Sequence, residues 1–127
     1  MIINTPVSLG ELVDKISILH IKNINIKDDE KLKFVREEMD MLNKTLYSII
    51  KKENIEKYLE LLIEINSKLW VIEDDLRDCE RNKNFDQNFV DLARSVYFTN
   101  DKRSEIKLDI NKKFESKVVE VKSYEQY

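Results

Sequence analysis

Hydrophobic residues recur along most of this chain at gaps that alternate between three and four, the spacing that lines one face of an α-helix. Four stretches carry the pattern. The first places Leu9, Leu12, Val13, Ile16 and Leu19 on one face, with Asp14, Lys15 and Ser17 off that stripe. The second runs Leu32, Val35, Met39, Leu42, Leu46, Ile49, and the third Ile55, Tyr58, Leu62, Ile65, Leu69, Ile72, Leu76, Cys79. Both are heptad seams. The fourth is apolar at Phe89, Leu92, Ala93 and Val96, polar at Thr99, Asn100 and Arg103, and apolar again at Ile106 and Ile110.

The ends of these stretches carry helix signals. Ser8 with Glu11 three residues on forms a capping box, flanked by Val7 and Leu12 as a hydrophobic staple. Asp28 precedes an acidic first turn, and Asn54 and Asp86 stand where the third and fourth helices need caps. The pattern therefore predicts helices over about 8–24, 29–51, 54–81 and 86–115. Short links join the last three, which favours antiparallel neighbours in one all-α bundle spanning 1–127. The third stretch also carries a second row, Leu59, Ile63, Asn66, Trp70, Glu73 and Arg77, so it is expected to meet two neighbours as the central helix. Lys117 to Lys122 alternates as a short strand would.

Composition sharpens this class. The chain has one glycine and one proline, both within the first ten residues, so few tight turns and long helices are expected. Charged residues make up 37% and hydrophobic ones 42%, the mix of amphipathic helices with charged faces. The net charge of −3 comes from interspersed acids and bases, with no basic patch to draw nucleic acid. No apolar run approaches the roughly 18 residues of a membrane span, so the expectation is a cytoplasmic protein with neither partner. The lone Cys79 forms no internal disulfide and suits a reducing compartment.

The candidate chemistry is confined to the polar rows. Counting outward from the turn near Asn84 sets Asp74 and Asp75 level with Arg94, and Asn66 and Ser67 level with Asn100 to Arg103. A polar layer is expected to cross the bundle there. Arg103 on a seam is costly to bury unless a carboxylate or a ligand meets it. It either fixes register, as a seam asparagine does in coiled coils, or joins Arg94 and Lys15 in an anion site. The acidic run Glu73, Asp74, Asp75, Asp78 and Glu80 admits a second chemistry. Carboxylates at i and i+3 or i+4 share a helix face, as in all-α hydrolases that hold Mg²⁺ or Mn²⁺. Asp75 with Asp78, Glu11 with Asp14 and Glu37 with Asp40 have that spacing. In 25 acidic residues such pairs also arise by chance, and Arg77 and Arg81 stand close enough to neutralise them. One histidine, His20, and one glycine leave no basis for a Ser–His–Asp triad or a phosphate-cradling loop.

Three segments, Gly10 to Leu19, Leu69 to Glu80 and Phe89 to Asp101 with its continuation through Arg103 to Asn111, resemble a family of small bacterial proteins classed only as a domain of unknown function. The likeness spans nearly the whole chain. It implies a stand-alone cytoplasmic bacterial protein whose relatives are often encoded near genes for cell-surface polysaccharide or glycosyltransferases. It supplies no catalytic residues, and His20 departs from the acidic residue expected there.

The resulting expectation is a non-enzymatic module, without a cofactor, that dimerises or binds a protein partner or small anionic ligand. Its pocket would be formed by Asp14, Lys15, Trp70, Glu73, Asp74, Asp78, Arg94, Asn100 and Arg103. The alternatives are a Mg²⁺- or Mn²⁺-dependent hydrolase of phosphorylated small molecules and an anion-binding regulator linked to surface-sugar synthesis.

Overall fold

The computed structural model describes residues 1–127 as four helices: α1 (Leu9–Asn25), α2 (Asp29–Ile49), α3 (Lys52–Arg81) and α4 (Gln87–Lys113). None is long and apolar enough to cross a membrane. Three helix starts follow the expected caps. Ser8 Oγ accepts from the Glu11 N–H, Asp28 from those of Glu30 and Lys31, and Asp86 from that of Phe89. The start of α3 does not. It begins two residues before Asn54, and Lys51 at its N-cap gives no side-chain bond. Packing of the long seam, rather than a cap, sustains that end.

With no glycine available, α3 and α4 end on lysine and glutamate in the left-handed region, Lys83 and Glu115 both at φ 52°. In each case the next two N–H groups turn back onto the last helical carbonyls. Asn84 donates to Cys79 and Lys83 to Glu80, while Ser116 donates to Asn111 and Glu115 to Lys112. These are Schellman closures, and their bonds offset the steric cost of a Cβ in that conformation.

The helices run up, down, up, down, but α1 is the hub. It packs on α2, α3 and α4, whereas α2 packs along its length on α1 alone. The expectation that α3 is central is corrected here. Eight of the seventeen residues of α1 are buried, including Gly10, Asp14 and Ser17, so the apolar stripe is not its only inward face. The last turn of α2 brings Leu46 into the main cluster with Val13, Ile16, Ile55, Leu59, Leu62 and Ile110. Each such fully buried aliphatic side chain contributes roughly 1.5–3 kcal/mol.

The two faces of α3 are realised as its two rows predict. Tyr58 meets Phe114 edge-on, and the seam continues along α4 to the buried Cys79. Leu59 and Asn66 turn toward α1. Beyond Asn25 no third helix covers the pair, and Leu69, Ile72 and Leu76 are only half-buried. The expected strand at 117–122 is absent. Instead the tail returns along α4, held by the Glu120–Lys107 pair and by Tyr127, whose hydroxyl donates to Asp101. With no second strand to pair with, an alternating segment has no ladder to join.

Candidate functional site

The polar face of α1 determines the site. Gly10, Asp14 and Ser17 are spaced four and three apart, so they share one face, and that face is buried against α3 and α4. Gly10 is required by proximity: a Cβ there would sit 2.4 Å from the carbonyl oxygen of Lys107 and 3.1 Å from Asn111 Oδ1. Its N–H donates to that Asn111 oxygen at 2.8 Å. This close approach lets short side chains one turn on bridge α1 and α4.

Asp14 is fully buried and meets three donors. Oδ1 accepts from Arg103 Nε at 3.0 Å and from Asn66 Nδ2 at 2.8 Å, while Oδ2 accepts from Arg103 Nη2. The second amide hydrogen of Asn66 goes to Ser17 Oγ at 2.8 Å, and that hydroxyl donates to the Asp14 carbonyl. A two-bond arginine–carboxylate pair with a third donor satisfies a buried charge that would otherwise be prohibitive. The Asp14 bonds hold the Arg103 guanidinium charge more firmly than usual, against the opposing effect of burial.

A second ionic tier lies one turn along α4. Lys107 is buried, and its Nζ donates to Glu11 and to Glu120, each at 2.8 Å, with Asp14 Oδ2 at 4.0 Å. Burial disfavours its charge, but the hydrogen bonds it donates to Glu11 and Glu120 outweigh that and raise its pKa. Glu120 in turn is pulled down to about 2 by its bonds to Lys107 and Lys122. Glu11 therefore serves this tier as well as standing three residues after the Ser8 cap.

Over the Arg103–Asp14 pair opens a cleft of about 570 Å³. Ile18 and Ile21 of α1 form one wall, Leu69, Trp70, Glu73, Asp74 and Arg77 of α3 another, and Asn66, Asn100 and Arg103 lie between them. Arg103 keeps about a quarter of its side chain exposed, and its Nη1 reaches only Asn100 Oδ1, at 3.5 Å. The guanidinium is thus fixed on its inner edge and open on its outer one. Arg77 stands exposed at the rim. The cleft presents two guanidinium groups, two carboxylates, two amides and one indole face.

Of the residues expected in a pocket, Trp70, Glu73, Asp74, Asn100 and Arg103 line this cleft, with Asp14 beneath it. Three others stand elsewhere. Lys15 is exposed on the one side of α1 that no helix covers. Asp78 pairs with Arg81, and Arg94 lies over the Phe98 ring at 5.9 Å. The anion site built from Arg94, Arg103 and Lys15 is therefore not assembled. The acidic run of α3 spreads over an exposed surface, and no three His, Cys, Asp or Glu side chains are grouped to hold a metal ion. His20 is half-buried and Cys79 is a small core residue.

Nothing in the sequence singles out Ser17, Lys107 or Glu120 as site residues. Asn66 alone is signalled, as the residue of the second α3 row that counts level with Arg103.

Fold and cleft together define an all-α protein of four helices with a charge-balanced polar layer beneath an open pocket. The chain belongs to the family of unknown function DUF6165, which it matches over residues 3–127. No curated protein and no solved structure matches it.

Proposed function

We propose that the protein is a non-enzymatic binding module whose cleft takes a small anionic polyol, the class that includes sugar acids and sugar phosphates. The observation that carries this reading is the fixed Arg103. Its inner edge is tied to Asp14, so the outer N–H groups are oriented before any ligand arrives, and the entropic cost of ordering a long side chain is already met. Asp14 balances that charge and Glu73 and Asp74 offset Arg77, so an anion would be held by directed hydrogen bonds from the two guanidinium groups rather than by net charge. Glu73, Asp74 and Asn100 supply acceptors and donors for hydroxyl groups. Trp70 offers an amphipathic face for the C–H side of a sugar ring.

Thermal-shift measurements with glucuronate, glucose 1-phosphate, glucose and inorganic phosphate test this reading, because a ligand of the native state raises its stability by mass action. The anionic sugars should stabilise the protein more than either glucose or phosphate alone, and Arg77→Ala should remove the difference. Equal shifts from phosphate alone, or none from any sugar, would sink the proposal.

We further propose, on a separate observation, that the protein is a homodimer through the exposed face of α2. Phe34 and Met41 are exposed one heptad apart on α2, away from the buried Leu32, Val35 and Leu46. Light scattering should give twice the chain mass at micromolar concentration and one chain mass for Phe34→Glu. A monomeric wild type would rule the dimer out.

A further inference from the structure

Three of the five tyrosines lie together where the tail returns along α4, and nothing in the cleft reading uses them. Tyr97 and Phe98 on α4 hold Tyr127 between them, with ring centroids 5.3 and 5.0 Å from it. Tyr124 lies nearby on the tail and is 81% exposed, while Tyr127 is 73% exposed. These ring faces border a hollow of about 380 Å³ that Val96, Tyr97, Asp101, Tyr124, Glu125 and Tyr127 line. Its charged lining is acidic. No cation lines the hollow itself: Lys122 lines the adjoining one with Glu105 and is bonded to Glu120, and Arg94 lies over the Phe98 ring behind Tyr127.

Aromatic faces carry negative potential, and large exposed rings cost solvation unless something covers them. A neutral apolar ligand would leave the negative charge of Asp101 and Glu125 unbalanced, and an anion would be repelled by both. A small metal ion would need several converging oxygen ligands, and no such group of carboxylates exists here. The remaining chemistry is a cation that is large, weakly hydrated and apolar at its edges.

We infer that the hollow between α4 and the tail is a binding site for a small organic ammonium ion, with Tyr97, Tyr124 and Tyr127 as its aromatic walls and Asp101 and Glu125 as its counter-charges. The site is separate from the anionic-polyol cleft on the neighbouring face of α4, with Asn100 as the border between them. Asp101 has a second role, because it accepts the Tyr127 hydroxyl and so holds that wall in place.

NMR titration of the full chain with tetramethylammonium, choline and the neutral choline isostere 3,3-dimethylbutanol tests the inference. Both ammonium ions should move the ring signals of Tyr97, Tyr124 and Tyr127 along saturable curves, with the alcohol about tenfold weaker. Sodium at matched ionic strength should leave these signals in place. Tyr124→Leu, at an exposed position that does not threaten the fold, should weaken the ammonium ions and leave the indole signal of Trp70 unchanged. Equal binding of the alcohol, no saturable shift with either ammonium ion, or unaltered affinity in Tyr124→Leu would overturn the inference.

Discussion

Asp14 and Arg103, 89 residues apart in the chain, share two hydrogen bonds that tie the middle of α1 to the middle of α4. The carboxylate is fully enclosed and the Arg103 side chain about three-quarters enclosed, so the pair is both a structural joint and the floor of the cleft.

Removing one partner should be costly. Asp14→Ala would strand the Arg103 charge and leave both donors of Asn66 with a single acceptor. The expected loss is about 3 kcal/mol, at the lower end for a broken buried pair because Arg103 can turn toward water. Replacing the pair by Asp14→Leu with Arg103→Met should cost less than the single change, since no charge is then stranded. Urea denaturation of both variants compares them. A double variant less stable than Asp14→Ala would contradict this account.

Gly10 offers a test with an inverted helix propensity. Alanine favours a helix interior over glycine by about 1 kcal/mol, yet the new methyl would meet the Lys107 carbonyl oxygen at 2.4 Å. Backbone cannot yield as a side chain can, so α1 and α4 must separate. Gly10→Ala should destabilise by about 2 kcal/mol. A higher melting temperature would show that the approach is not tight.

Much of the fold could be read from the chain because heptad spacing and caps are local signals. The α3 seam, the α2 seam up to Leu46 (Ile49 is exposed), the Ser8, Asp28 and Asp86 caps, and the level of Asn66 with Arg103 all follow from counting. Counting could not show how many helices α1 touches. Asp14 and Ser17 lie off the apolar stripe, and a polar residue there looks solvated until a second neighbour covers it. The tertiary positions of α3 and α4, the latter enabled by Gly10, make that face internal. The same limit explains Lys15 and Arg94, which have the right charge for an anion site but stand away from the cleft. The tail misled because alternation marks a strand only where a partner strand exists.

Acid should release the tail only as the pH falls well below the ordinary carboxylate range. The Lys107 and Lys122 bonds hold the Glu120 carboxyl at about 2, below its ordinary 4.5. A depressed carboxyl contributes stability above its ordinary value and loses it as pH falls toward the lowered one. The Lys107–Glu120 contact should therefore weaken between pH 4.5 and about 2. NMR titration should give Glu120 a midpoint near the lower end of that window, with amides of residues 118–122 moving together. An ordinary midpoint would mean the tail does not rest on Lys107.

The binding reading is tested most directly at Trp70. It is the only tryptophan and it stands in the cleft wall, so its emission reports occupancy without a label. Titration with glucuronate or glucose 1-phosphate should change that emission along a saturable curve. Glucose and inorganic phosphate should be weaker, and Arg77→Ala should shift the curve to higher concentration. A flat response to both anionic sugars, or the same response to phosphate alone, would contradict the account.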